Sequence, residues 1–251
     1  MVDPGYGTLT YAELDKQSTH LAHHLHEAGF RNGRIGLHMH RSHYFPVCFW
    51  GILKSGNSYV PLEPKHPSQR LTYMIDNAQL DAVITHTTLQ DSLRDVKRPL
   101  FSIDALSSPT AKDAFDLDDA VLTETAVILY TSGSTGQPKG VRLSHKGLYS
   151  YTHTAIKQFN LCPTDHVLQF ASIGFDTSLE EMCPIHLTGG TLVLRTEESL
   201  SSIQTFFCLL SRPSNHSTRF TDRFLAHAHY RNAARSQSTT ATRHPYHHHR
   251  R

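Results

Sequence analysis

The strongest chemical signal in the chain is the string Ile128-Leu129-Tyr130-Thr131-Ser132-Gly133-Ser134-Thr135-Gly136-Gln137-Pro138-Lys139-Gly140. An apolar run leads into a loop whose glycines, Gly133, Gly136 and Gly140, permit tight turns and let backbone N–H groups approach an anion closely. The hydroxyls of Thr131, Ser132, Ser134 and Thr135 add hydrogen-bond donors, and Lys139 adds a cation that can neutralise phosphate charge. The pattern GxxxxGK[ST] cannot be laid onto the string, so it is not a Walker-type loop. By composition alone, Gly-Ser-Thr-Gly also describes a flexible turn between two strands. The histidines offer no comparable frame. His38 and His40 share one face of a strand, as do His227 and His229 if that segment is extended, but no set of three or four metal ligands forms around either pair. His247-His248-His249 could capture nickel or zinc adventitiously, no functional metal site is expected, and His145 reads as structural.

Elements that could position the loop alternate along the chain. Tyr11–Ala28 has helical spacing of Leu14, Leu21 and Leu25, a capping-box pair in Thr10 and Glu13, and Gly29 as its stop. Arg34–Met39 predicts a strand, Tyr44–Lys54 a helix, Tyr59–Pro64 an extended segment whose prolines exclude helix, Gln69–Asn77 a helix and Asp81–Thr85 a strand. Ser107–Glu124 is polar, acidic and without period, which predicts a surface connection. Beyond it come strands at Ala126–Tyr130 and Gly140–Leu143 and a helix at Ser144–Gln158. Strands at Val167–Ala171 and Thr191–Leu194 flank a helix near Leu179–Leu187. This alternation predicts an α/β fold with a largely parallel sheet flanked by helices.

The loop string, with its surroundings, resembles the adenylate-forming superfamily: acyl-CoA synthetases, luciferases and, most of all, nonribosomal peptide synthetase adenylation domains. Leu9-Thr10-Tyr11-Ala12-Glu13-Leu14 is similar to the family's first core motif. Leu53-Lys54-Ser55-Gly56-Asn57-Ser58-Tyr59-Val60-Pro61-Leu62-Glu63-Pro64 is similar to the second, with Ser55 and Asn57 where small residues are usual. Phe175-Asp176-Thr177-Ser178 resembles the fourth, and Gly189–Leu194 fits the strand after it. The resemblance covers residues 8–207 and implies ATP-dependent activation of a carboxylate to an acyl-adenylate, then transfer to the phosphopantetheine thiol of a partner carrier-protein domain. It implies that Thr131, Ser132, Gly133, Ser134, Thr135 and Gly136 hold the β/γ-phosphates and that Lys139 neutralises them. It also implies that Asp176 pairs with the α-ammonium of an amino-acid substrate, which acyl-CoA ligases lack, and that Glu180 lines the side-chain pocket. From its residues alone Asp176 also fits a helix N-cap, and Glu180 a solvated helix charge.

Composition divides the chain. Of 24 Lys+Arg and 22 Asp+Glu, residues 201–251 hold eight Arg and a single acid, Asp222. That segment is rich in Arg, His, Ser and Thr, and is expected to be a disordered tail. The predicted organisation is therefore a partial adenylation (AMP-binding) domain over residues 1–208 and an Arg/His/Ser-rich tail over 209–251, whose change of composition suggests a frameshift, a retained intron or a mis-set gene model. The Mg2+ that the resemblance implies lacks its binding acid, since no Tyr-Gly-Pro-Thr-Glu-like segment occurs; a Thr-Gly-Asp-like segment and any lysine after Lys157 are also absent. The expectation is a truncated N-terminal fragment, inactive alone; an acyl- or aryl-CoA ligase fragment and a non-enzymatic truncated product are the alternatives. No apolar run is long enough to span a membrane, no basic-then-apolar leader opens the chain, and four dispersed cysteines form no CxxC pair. A cytoplasmic setting, no membrane partner and no specific nucleic-acid partner are expected.

Overall fold

The computed structural model describes residues 1–3, 7–106, 124–132 and 137–195. In chain order these form β1 (Val2–Asp3), β2 (Gly7–Thr8), α1 (Tyr11–Glu27), β3 (Arg34–His38), α2 (Tyr44–Lys54), β4 (Ser58–Leu62) and α3 (Ser68–Asn77). Next come β5 (Ala82–Thr85), β6 (Leu100–Ser102), β7 (Thr125–Thr131), β8 (Lys139–Ser144), α4 (His145–Phe159), β9 (His166–Gln169), α5 (Asp176–Thr188) and β10 (Thr191–Leu194). Short 3-10 helices at Thr87–Leu93 and Ile103–Ala105 complete them. None of these helices is long and apolar enough to cross a membrane.

Two sheets form rather than one. The larger has the order β6-β5-β3-β4-β7-β8, and all its pairings are parallel except β7 with β8. The smaller has the order β2-β1-β10-β9. The largely parallel sheet expected from sequence is present as the larger one; β10 pairs with β9 and with the N-terminal strand Val2–Asp3, and so forms a second, smaller sheet. Four-residue strands carry no signal of which sheet they join. The predicted tail lies outside the described residues, as do residues 107–123 of the predicted connection.

Strand parity shows how the sheets share a core. Ile35, Leu37, Tyr59, Ile84, Val127 and Leu129 point to one face and pack with α1, α2, α5 and the smaller sheet, through Leu21, Phe45, Phe49, Met182 and Leu192. Val60, Leu62, Val83, Ile128 and Tyr130 point to the other and pack against Leu71, Met74 and Ile75 of α3. Burial on both faces explains the near-continuous apolar runs of these strands. Pro61 sits inside β4 with its ladder to β3 intact, while the ladder from β4 to β7 is reduced to Tyr59 with Val127.

The predicted α1 cap is present: Glu13 N donates to Thr10 Oγ1 at 3.2 Å and Thr10 N donates to Glu13 Oε2 at 2.7 Å. The unusual Ser55 and Asn57 form a buried pair. Asn57 Nδ2 donates to Ser55 Oγ (2.8 Å) and Phe30 O (3.0 Å), and Asn57 Oδ1 accepts from Gly33 N (2.8 Å). Beside them Ser58 Oγ donates to Thr125 O at 2.6 Å, tying β4 to β7.

Candidate functional site

Ligands of open parallel sheets bind outside the carboxyl ends of the strands, because loops and helix N-termini converge there. Thr131 stands at such an end, and the helix carrying Asp176 and Glu180 follows the carboxyl end of β9. Thr131 is the last residue of β7, and its antiparallel partner is Lys139, the first residue of β8. The phosphate-loop string is therefore the tip of the β7–β8 hairpin. Cross-strand partners share a face, so the Thr131 hydroxyl and the Lys139 ammonium are presented together, both residues exposed. Ser132 is exposed beside them. Gly133, Ser134, Thr135 and Gly136 lie outside the described residues.

Tyr130 points the opposite way. Its hydroxyl donates to Asn77 Oδ1 at 2.7 Å and to Met74 O at 3.3 Å, anchoring the hairpin base on α3, and burial pushes its pKa up to about 12. Ser144, at the far end of β8, caps α4 by accepting from Gly147 N at 3.0 Å.

Asp176 is the first residue of α5, not its cap: Phe175 occupies the cap position and makes no side-chain cap bond. The Asp176 Oδ1 atom accepts from Thr177 N at 2.8 Å, and the residue is exposed where negative charge complements the helix dipole. Glu180 follows one helical turn later and is half-buried. The structure thus brings together two pairs, Thr131 with Lys139 on the β7–β8 hairpin and Asp176 with Glu180 on α5.

Three charged residues without a role in the sequence reading join those pairs, by fixing the segment between β9 and α5. Arg41, just beyond β3, donates to Gln169 Oε1, to Ala171 O and, at 3.2 Å, to Phe170 O. Glu181 accepts from the backbone N–H of Phe170 (3.0 Å) and Ala171 (3.1 Å) and from Gln169 Nε2 (3.2 Å). Burial pushes the Glu181 carboxyl up to about 7, outweighing those hydrogen bonds and the nearby Arg41. Glu63, just beyond β4, accepts from Ser172 Oγ and from Gly174 N at 3.1 Å. Glu181 had a sequence signal, since it shares a helix face with Ser178 and Ile185, both buried. Glu63 and Arg41 had none, because their partners lie more than a hundred residues away.

Strand order sets Glu63 beside the phosphate side. Tyr59 of β4 pairs with Val127 of β7, so Glu63, just past the end of β4, follows the strand next to the one that ends in Thr131. Its bonds to Ser172 and Gly174 join that edge of the larger sheet to the turn leading into Asp176.

Among the described residues, His38 and His145 make structural contacts. His38 Nδ1 bonds Leu62 O at 3.1 Å and its Nε2 meets Ser92 Oγ at 2.9 Å, with burial holding the ring below its ordinary pKa. His145 opens α4, its backbone N–H donating to Glu124 O at 3.2 Å. Among the described residues no group of three His, Cys, Asp or Glu side chains is placed to hold a metal ion.

Comparison with known proteins places this arrangement. The AMP-binding enzyme family matches residues 1–235. Gramicidin S synthase 2 of Brevibacillus brevis is 34% identical over 205 residues, which are 81% of this chain and 4% of that protein. The nonribosomal peptide synthetase ivoA of Emericella nidulans is 35% identical over 208 residues, 80% of this chain and 12% of that one. Among solved structures, holo-AB3403, a four-domain nonribosomal peptide synthetase bound to AMP and glycine, superposes with a TM-score of 0.75 at 25% identity, over 82% of this chain and 15% of that one. VinN in complex with L-aspartate superposes with a TM-score of 0.69 at 32% identity, over 76% of this chain and 51% of that one. The chain thus spans a small share of its curated relatives and about half of a smaller structural neighbour.

Proposed function

The chain belongs to the AMP-binding enzyme family, and from that premise we propose that it forms the phosphate- and ammonium-holding part of an amino-acid adenylation domain in nonribosomal peptide synthesis. The observation that carries this reading is the pairing of Thr131 with Lys139 at the end of β7, together with Asp176 opening α5 just after the turn that Glu63, beyond the neighbouring strand β4, holds. ATP fits the first pair: a hydroxyl and an ammonium presented side by side at the mouth of a Gly/Ser/Thr loop match β/γ-phosphate oxygens. An amino acid fits the second, its ammonium meeting the exposed carboxylate of Asp176 and its side chain meeting Glu180, which favours a polar or basic substrate.

The chemistry is carboxylate attack on the α-phosphorus of ATP, forming the acyl–phosphate bond as the bond to pyrophosphate breaks. Lys139 and the loop hydroxyls balance charge on the departing pyrophosphate, while Asp176 orients the nucleophile by its ammonium end. Little covalent work falls to the protein, so positioning and charge neutralisation supply the rate. The adenylate is then consumed by the phosphopantetheine thiol of a carrier-protein domain. No described side-chain cluster holds Mg2+, and no step is assigned to it. The ribose- and Mg2+-binding segments and the late lysine expected of a whole domain are not in this sequence, so the polypeptide by itself is expected to bind without turning over.

Titration calorimetry of the 251-residue chain with aminoacyl sulfamoyl-adenosines, and with counterparts lacking the α-amino group, tests this reading. About tenfold tighter binding of one amino probe is expected, an ion-pair-sized difference. Asp176→Asn should erase the preference, while Lys139→Ala should leave it intact and weaken binding of ATP. Equal binding of both probes by the unaltered chain would favour the acyl- or aryl-CoA ligase reading instead. ATP–pyrophosphate exchange should be undetectable, and robust exchange lost on Lys139→Ala would overturn the claim of incompleteness.

A further inference from the structure

Between β9 and Asp176 the chain turns sharply, and its geometry is imposed from outside. Glu63 Oε1 accepts from both Ser172 Oγ and the backbone N–H of Gly174, and Ser172 Oγ lies 3.4 Å from that same N–H. The turn then closes with Phe175 N donating to Ser172 O at 3.0 Å, and Ser178 Oγ donates to Phe175 O at 2.7 Å. A Cβ on Gly174 would sit 3.3 Å from Glu63 Cγ, closer than nearly all real contacts, so only glycine lets the carboxylate reach the backbone without displacement. The carboxylate also projects from a stiff segment, because prolines at 61 and 64 fix the backbone on either side.

Glu63 is thus an arm from the larger sheet, just past the strand that neighbours the Thr131 strand, gripping a turn two residues before Asp176. We propose that Glu63 is a positioning residue: by fixing Ser172 and Gly174 it sets where Asp176 is presented relative to the phosphate-holding hairpin, and so governs selection for an α-ammonium. This rests on the ammonium-binding reading of Asp176. Misplacing a recognition group by about 1 Å can cost up to a hundredfold, whereas a role in folding alone would weaken amino and des-amino ligands equally.

The test compares the preference of the full chain for an aminoacyl sulfamoyl-adenosine over its des-amino counterpart across variants, with AMP affinity as the control. Glu63→Ala is expected to lower that preference about tenfold and to leave AMP affinity within about twofold. Ser172→Ala removes the same contact from the other end and should do likewise if Glu63→Ala folds poorly. Glu63→Gln, which keeps the accepting oxygen, should recover most of the preference. An unchanged preference in Glu63→Ala would overturn the proposal. Asp176→Asn separates the two ideas: loss there with no change in Glu63→Ala sinks only the positioning role, whereas no loss there sinks the Asp176 reading and the role built on it. Hydrogen exchange without ligand decides the matter if the chain binds neither probe. Tenfold faster exchange from Gly174 to Ser178 in Glu63→Ala, with β3 still protected, supports the role, and equal exchange refutes it.

Discussion

In the larger sheet, β4 and β5 are buried along their whole length and β7 in all but its last residue, and the strands are held by apolar packing on both faces. In the smaller sheet, β9 and β10 alternate or mix buried and half-exposed residues, and the segment leaving β9 is fixed by Arg41, Glu63 and Glu181. The first arrangement is insensitive to direction and tolerates small shifts. The second is directional, and one lost acceptor leaves partly buried N–H groups without that partner. In the proposed site a phosphate-binding hairpin thus rises from a hydrophobic platform, while the ammonium-binding aspartate rises from a turn built of charge-assisted hydrogen bonds. On that reading, stability resides mainly in one region and substrate discrimination in the other.

The largest effect should come from breaking the platform. Tyr59 is completely buried, in edge contact with Phe49 at 5.2 Å, so Tyr59→Ala should cost about 3–5 kcal/mol in denaturant unfolding. Its hydroxyl has no hydrogen-bond partner among the described residues, so Tyr59→Phe should be neutral or stabilising. Equal losses for both variants would mean that the hydroxyl, not the ring, matters.

Next is the charged turn, read through pH. The Glu181 carboxyl is raised from 4.5 to about 7 in the fold. A raised acid binds its proton more tightly when folded, so its contribution is fully present below pH 4.5 and is lost as pH rises through 7. The change is on the order of 3 kcal/mol. Glu181→Gln should flatten unfolding free energy across that window, and an unchanged slope would remove Glu181 as its source.

The smallest expected change lies away from both regions. Thr10→Ala removes the α1 cap and should cost about 1 kcal/mol, while leaving ligand preference untouched. A change in preference there would blur the division between platform and turn.

Much of this division was legible in the sequence, for reasons that differ by residue. The hairpin was visible because Ala126–Tyr130 and Gly140–Leu143 flank a loop of glycines and hydroxyls, and the loop's chemistry follows from its residue types. Asp176 was visible through the motif around it, although its place as the first helical residue was not, because Phe175 caps α5 without a side-chain bond. The second sheet was hidden: β1 is two residues long, and its partner Val193 is distant in sequence. Glu63 stands within a family motif yet showed no role of its own, since contacts across 109 and 111 residues leave no local pattern. Residues 133–136, the centre of the loop, lie outside the described structure.

In the proposed site both sheets contribute to one substrate site. Hydrogen exchange of the unaltered chain, measured with ATP and then with ATP plus the preferred amino acid, tests that directly. ATP should protect residues flanking the β7–β8 hairpin alone, and the amino acid should extend protection to Ser172–Glu180. Protection confined to the hairpin with both present, Ser172–Glu180 unchanged, would contradict it.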